Sequence, residues 1–286
     1  MAESWLEVRV AVGKDGEPLL ASGLLQASLE EVGFEGFVEE GGELIGYVPV
    51  SKYSEESVEE VLRNFGVEAS CGAHEVPKKN WNEEWEQRVE PVVLHGGKRS
   101  VRVRAAFHAA EEGDVIVTPR MAFGTGHHAT TAMEVEALLD ADLSGKRVLD
   151  MGCGTGLLAL VAARCGAAAV DAIDYDEEAV RNAMDNVKAN GAEGIVNVIH
   201  GGFEDIPKGV RYDWIAANMT LNLLTAHMPL LSERLQRNGG VLATSGLLVR
   251  DVEALLASAK RHGLREVARS EREGWACCLL AKESNV

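Results

Sequence analysis

The stretch Val148-Leu149-Asp150-Met151-Gly152-Cys153-Gly154-Thr155-Gly156 decides how this chain is read. Apolar Val148 and Leu149 close a strand signal, and the apolar run Leu157 to Ala163 that follows opens a helix. Three alternate glycines lie between them. Glycine turns the backbone tightly and lets a ligand approach the main chain with no side chain in the way. The dinucleotide fingerprint needs G-x-G-x-x-G, and its third glycine would fall where Leu157 stands. Hydride chemistry with a nicotinamide is therefore disfavoured. Two roles are open to Asp150, a buried brace for the loop or a ligand contact.

Working outward, strands and helices alternate from Val115 onward, which predicts a parallel sheet with helices on both faces. Strands are expected at 147–150, 170–173, 195–199, 214–217 and 240–243, with helices at 157–164, 177–189, 221–235 and 252–262. Two further strands, 264–268 and 276–280, have no helix between them, so the last pair of seven is expected to be antiparallel. Asp174 comes 22 residues after Gly152, just past the second strand, where an acid can hold both ribose hydroxyls of a nucleoside. Its other reading is a helix cap ahead of Glu177. Phe203 follows the third strand and reads either as a flank for an adenine or as a core aromatic.

A second glycine-rich loop, Met121-Ala122-Phe123-Gly124-Thr125-Gly126-His127-His128-Ala129-Thr130-Thr131, precedes the first of these strands. Thr130 and Thr131 open a helix containing Val135, Leu138 and Leu139. A helix N-terminus with free N–H groups and hydroxyls suits a carboxylate, and plain capping is the alternative. His127 and His128 are adjacent, with no third ligand at a set spacing, so no metal site is expected.

The first seventy-odd residues read differently. Leu6, Val8, Val10 and Val12 alternate as a half-buried strand. Leu20, Leu24, Ala27 and Leu29 recur at helical spacing, and two strands, 34–38 and 44–50, meet through Glu40-Gly41-Gly42. Ser54 caps a second helix ended by Gly66, and 67–71 is a last strand. The order β-α-β-β-α-β is the split βαβ arrangement, and it holds no catalytic constellation. Between the two regions, Trp81 and Trp85 share a face of a short helix that reads as packing between domains, with substrate contact as the alternative, and 92–94 with 101–104 flank His95-Gly96-Gly97 as a hairpin. The domains are therefore drawn as 1–75, a connecting helix and hairpin at 76–110, and 111–286.

The chain has 286 residues, 28 Lys+Arg against 45 Asp+Glu and a formal net charge of −17. Residues 1–90 carry 20 acids and 7 bases, and the remainder is nearly balanced. Such a surface keeps the chain soluble or docks a basic partner, and it disfavours phosphate-backbone binding. The apolar run 157–163 is far short of the roughly 18–20 residues that span a bilayer. The start, Met1-Ala2-Glu3-Ser4-Trp5, has neither the basic nor the apolar part of a signal peptide. Cys71, Cys153, Cys165, Cys277 and Cys278 form no CxxC pair and read as reduced thiols, placing the chain in the cytoplasm.

Asp150-x-Gly152-x-Gly154-x-Gly156 resembles the first motif of S-adenosylmethionine methyltransferases. Phe123-Gly124-Thr125-Gly126-x-His128-x-Thr130-Thr131, then that motif, Asp174 and Asn218, are together very similar to the PrmA family, methyltransferases of large-subunit ribosomal protein L11. The resemblance implies a seven-stranded Rossmann-like α/β methyltransferase domain behind a small ferredoxin-like α+β domain that recognises substrate. It implies S-adenosylmethionine as cofactor, with lysine side chains and the amino terminus of the ribosomal protein as acceptors. Family cofactor positions fall on Thr131, Gly152, Asp174 and Asn218, and the same loops add Phe123, Gly124, Thr125, Gly126, Thr130 and Gly154. Asn218 either aims the acceptor amine through its side-chain oxygen, as the one catalytic candidate, or contacts the cofactor alone. After Asn218 the family string is roughly I-L/V-A-x-P/V-L, whereas this chain has Met219-Thr220-Leu221-Asn222-Leu223-Leu224, a departure that bears on the acceptor. A methyltransferase for another protein or a small amine, and a non-catalytic cofactor-binding scaffold, are the competing readings.

Overall fold

The computed structural model describes residues 5–12, 24–34, 36–40, 43–65, 69–76, 90–118 and 124–282. The Trp81/Trp85 helix and Phe123 lie outside them. The chain divides into two compact units, Met1–Trp81 and Asn82–Val286.

In the smaller unit, β1 (Trp5–Val12), α1 (Leu24–Glu31), β2 (Gly36–Glu40), β3 (Glu43–Pro49), α2 (Glu55–Asn64) and β4 (Ala69–Val76) follow in the expected order. The sheet runs β2-β3-β1-β4, with every pairing antiparallel. Alternation sends Val8 and Val10 inward against Leu25, Leu29, Val58 and Leu62 of the two helices. Ser54 caps α2 by accepting the Ser57 N–H, and Glu55 and Glu56 in the first turn complement the helix dipole.

The larger unit begins with β5 (Val92–His95), β6 (Ser100–Arg104) and β7 (Val115–Ile116), a three-stranded sheet in which β6 pairs antiparallel with β5 and parallel with β7. The hairpin read from sequence as part of a connecting segment thus joins a strand of the larger unit. Then come α3 (Ala129–Asp140), β8 (Arg147–Met151), α4 (Leu157–Arg164), β9 (Ala169–Asp174), α5 (Glu177–Ala189), β10 (Val196–His200), β11 (Trp214–Asn218), α6 (Leu221–Arg234), β12 (Val241–Leu248), α7 (Val252–Arg261), β13 (Leu264–Arg272) and β14 (Trp275–Lys282). The seven-stranded sheet has the order β10-β9-β8-β11-β12-β14-β13. It is parallel through β12, and β14 is antiparallel to both its neighbours.

Both faces of this sheet are covered, so its strands are apolar on both sides. Val148, Val170, Ala172, Trp214 and Ala216 pack against the α3–α5 side, and Leu149, Ile173, Ile215 and Ala217 pack against α6 and α7. By the same alternation Asp150, Asp174 and Asn218 all fall on the α3–α5 side. The strand order reverses at β8, with β9 on one flank and β11 on the other, and crevices at such switch points receive ligands. No helix among the described residues is long and apolar enough to cross a membrane. The described thiols Cys153, Cys165, Cys277 and Cys278 are unbridged and buried.

A row of asparagines on α5 ties the segment after β7 to this sheet. Asn182, Asn186 and Asn190 recur every four residues and so line one helix face. Asn190 exchanges both bonds of its amide with the Ile116 backbone, at 2.9 and 2.7 Å. Asn186 accepts the Thr118 N–H at 2.9 Å and donates to Thr155 O in the glycine loop at 2.9 Å. A helix face here does for 116–118 what a neighbouring strand does elsewhere. Asn186 is fully buried, so Asn186→Ala strands the buried Thr155 carbonyl and the part-buried Thr118 N–H. The expected loss is about 2–4 kcal/mol, read as a lower urea midpoint with unchanged slope.

Candidate functional site

The C-terminal ends of β8, β9 and β11 carry the site. After β8 the backbone turns through Gly152, Gly154 and Gly156 at φ +73°, +52° and +77°, a region that side chains strongly disfavour. Ile173 O on β9 accepts the N–H groups of both Gly152 and Cys153, at 2.8 and 3.0 Å. Gly156 then caps α4 with no side-chain bond, leaving N–H groups facing the loop.

Asp174 closes the arrangement. Its Oδ2 accepts the Gly154 N–H at 2.8 Å and its Oδ1 accepts the Asp176 N–H at 3.0 Å. The cap of α5 is Asp176, which accepts from Glu178 N, and not Asp174. A carboxylate has about four lone-pair sites, so Asp174 retains capacity for two hydroxyl donors. Asp150 is fully buried, and its Oδ2 accepts the Ala159 N–H of α4 at 3.0 Å. Of its two sequence readings, this contact is the brace.

At the end of β11, Asn218 is fixed from the side. Its Nδ2 donates to the hydroxyls of Thr130 and Thr131, at 3.2 and 3.3 Å. Both threonines are fully buried in the first turn of α3. The helix cap is His128, whose Nδ1 also meets Thr130 Oγ1 at 2.7 Å. With Nδ2 committed, Asn218 Oδ1 has no donor among the described residues. Gly246 on β12 makes room for this turn, because a Cβ there would stand 2.6 Å from Met219 O and 2.9 Å from Asn218 Oδ1.

These groups border a cavity of about 640 Å³, a volume typical of small-molecule sites. Gly152, Gly154 and Asp174 lie along it, as do Thr130 and Asn218, and its walls include Met219, Leu223 and Trp275. A Cβ at Gly152 would come 2.6 Å from the mobile end of Met219, at Cε, and it is the φ of +73° that favours glycine at this edge. Phe203 is in the wall, stacked on His227 with ring centroids 3.7 Å apart.

Electrostatically the site rests on buried acids. Burial and then repulsion from Asp150 push Glu134 on α3 well above the usual carboxylate range. Burial raises Asp150 to about 7 against the lowering Ala159 N–H, and Asp174 adds to the rise. Burial likewise pushes the Cys153 thiol up, with Asp150 and Asp174 adding to it, so it is no nucleophile at neutral pH.

The sequence candidates divide by position. Thr130, Gly152, Gly154, Asp174 and Asn218 border the cavity, and Thr131 stands behind Asn218. Gly124 works one step away, its carbonyl accepting the Thr155 hydroxyl at 2.6 Å. Thr125 bonds His127, which reaches Glu90 O, and Gly126 packs near Leu157. Phe123 lies outside the described residues. Sequence reasoning missed Gly246, His128, Tyr175, His227 and Trp275 as cavity residues. An isolated glycine inside the β12 pattern was the available signal for Gly246. Trp275 and His227 carry none, since tertiary packing alone brings them there.

The family model described as ribosomal protein L11 methyltransferase (PrmA) matches residues 12–283. A ribosomal protein L11 methyltransferase of Bacteroides fragilis is 40% identical over 260 residues, covering 88% of this chain and 91% of that protein. One of Porphyromonas gingivalis is 37% identical over 268 residues, covering 91% of each. The crystal structure of a ribosomal protein L11 methylase from Lactobacillus delbrueckii subsp. bulgaricus superposes with a TM-score of 0.59 at 21% identity, over 67% of this chain and 99% of that one. At that identity the likeness is one of fold.

Two outcomes follow from the site itself. Asp174→Ala removes the acceptor of two backbone N–H groups and should cost about 2–4 kcal/mol of stability, read by urea denaturation without ligand. Asp150 ionises near 3.8 when unfolded and about 7 when folded. The folded state therefore holds the extra proton, and this contribution to stability is present below pH 3.8 and lost as pH rises through 7. Asp150→Asn should flatten that fall in a series of denaturations from pH 4 to pH 8.

Proposed function

We propose that this chain, which belongs to the ribosomal protein L11 methyltransferase (PrmA) family, transfers methyl groups from S-adenosylmethionine to lysine side chains and the amino terminus of ribosomal protein L11. The observation that carries the reading is Asn218, its Nδ2 held by two buried threonine hydroxyls beside a glycine-lined cavity. The cavity suits the cofactor on three grounds. Gly152 and Gly154 open the main chain to a ligand, Asp174 has acceptor capacity for ribose hydroxyls, and the volume fits a nucleoside with an amino-acid tail. When bound, S-adenosylmethionine supplies an electrophilic methyl group on a sulfonium.

The chain's own residues handle the acceptor. An ordinary lysine has a pKa of about 10.4, so exposing its lone pair at pH 7 costs roughly 4–5 kcal/mol. The apolar walls at Met219, Leu223 and Trp275 favour the neutral amine over the ammonium. Asn218 Oδ1 accepts an N–H of that amine and so turns its lone pair toward the methyl group. Alignment of this kind is where such a site gains most of its rate. Met219 and Thr220, where the chain departs from the common family string, border the same space and set the fit of the acceptor.

The acidic residues 1–90 are read as the docking surface for a basic ribosomal protein, with no direct contact to nucleic acid. Reaction takes place in the cytoplasm, where ribosomes assemble.

Mass spectrometry of ribosomal protein L11 after incubation with the chain and S-adenosylmethionine tests the activity, and an unmodified protein overturns it. If Asn218 aims the amine, Asn218→Ala lowers the methylation rate about 100-fold or more while cofactor affinity falls less than about tenfold. Equal losses, by steady-state kinetics and calorimetry, leave Asn218 as a cofactor contact alone. A fragment spanning 82–286 should bind cofactor and methylate ribosomal protein L11 poorly. Full-chain activity at low acceptor concentration should fall as salt rises and screening shortens to about 8 Å.

A further inference from the structure

Below the cavity lies a carboxylate that alignment of the acceptor leaves without a task. Glu134 is fully buried, and neither of its oxygens has a hydrogen-bond partner among the described residues. It follows Thr131 by three positions and Thr130 by four, one turn further along the face that presents their hydroxyls to Asn218. Asp150 is equally buried on the sheet face that α3 covers, and its Oδ1 is unpartnered. Glu134 and Asp150 repel each other, and Asp150 in turn repels Asp174, which borders the cavity. Two buried thiols face the pair, Cys277 of β14, which Glu134 pushes up, and Cys153 of the glycine loop, which Asp150 pushes up. Among the described residues no lysine or arginine is recorded as acting on either acid.

Such an arrangement is expensive as a packing device. A buried carboxylate with no donor costs stability that an apolar side chain would not, and two of them side by side cannot both ionise cheaply. A cation arriving above them changes that balance. S-adenosylmethionine, with a sulfonium, an ammonium and a carboxylate, is a net monocation, and the demethylated product is net neutral.

We propose that Glu134 and Asp150 are a proton-linked counter-charge for the cofactor: the buried pair gives a proton to solvent when the sulfonium ligand occupies the cavity and takes one back once the neutral thioether is left there. The inference rests on the S-adenosylmethionine reading above. It makes cofactor capture tighten with pH while product binding does not, so that each turnover favours release of the spent ligand. Both acids are positioning residues acting through the cavity's potential.

Calorimetric titration of the full chain with S-adenosylmethionine and with S-adenosylhomocysteine, in phosphate and in Tris at pH 6, 7 and 8, reads the proton directly. At pH 7 about half a proton should leave per S-adenosylmethionine bound and much less for the product, which makes S-adenosylmethionine affinity about tenfold greater at pH 8 than at pH 6. Burial and Asp174 still hold Asp150 high when Glu134 alone is replaced, so the test variant combines Glu134→Gln with Asp150→Asn and removes both titrating acids. This double variant should bind both ligands with little proton release and a flat pH dependence. Comparing variant with parent subtracts the titration of the ligand's own amine. Glu134→Leu with Asp150→Asn, should the first double variant fold poorly, is expected to melt several degrees above the parent at pH 8 and to lose the proton release in the same way. Heats that match in both buffers, or release unchanged in the variants, overturn the linkage alone. Failure of either ligand to bind the parent chain overturns the cofactor reading as well.

Discussion

Everything at the glycine-lined end of the cavity depends on holding three left-handed glycines in place without side chains to hold them by. The constraint is met from the neighbouring strand. Ile173 O takes two N–H groups of the loop and the Asp174 carboxylate takes a third, so the last two residues of β9 specify a turn that belongs to β8. Parallel pairing of β8 with β9 in the register Met151 to Ile173 is what brings those acceptors to the right height. Sheet order and loop shape are thus one problem, because a slip in register would leave the loop's buried N–H groups without partners.

The same economy appears on the other flank of β8. Asn218 ends β11, Thr130 and Thr131 begin α3, and Gly246 in β12 leaves the space in which they meet. Three segments separated in sequence each give small features. No charged side chain takes part in this contact; Asp174 borders the cavity from the β9 side, and Glu134 and Asp150 are buried behind it. Negative charge close to an acceptor amine would hold its proton on.

Much of this was legible from the residues, for identifiable reasons. Strands such as 147–151 and 214–218, and helices such as 157–164, are short continuous apolar runs bounded by turn signals, and both their type and their extent came through. The glycine spacing disfavoured a dinucleotide site, and Leu157, standing where the third glycine would fall, is a core residue fully buried in α4. Strand length was less visible. β12 and β13 run on to Leu248 and Arg272, past the residues where their apolar pattern stops, because pairing with β14 continues through polar positions. Plain capping at the head of α3 was only the alternative to a carboxylate site there, and no residue was singled out for the cap. His128 takes it, since a β-region backbone and a ring nitrogen do what a hydroxyl does elsewhere. Trp275 and His227 were invisible as cavity residues because nothing local distinguishes them from core aromatics.

The asparagine row on α5 has a chemical side. Its last member stands in the dipeptide Asn190-Gly191, the sequence in which an asparagine most readily cyclises onto the following amide nitrogen and ages to aspartate or its isomer. In the fold that nitrogen is spoken for, since Gly191 N donates to Lys188 O at 3.1 Å. The Asn190 amide is pinned by the carbonyls of Ile116 and Asn186, both at 2.7 Å. Attack needs the two groups to swing toward each other, and each is tethered away. The native chain is shielded at this dipeptide, and the unfolded chain is not. Damage at Asn190 therefore accumulates in molecules that have opened, where an acidic residue in place of the amide would then hinder the return of 116–118 to its helix.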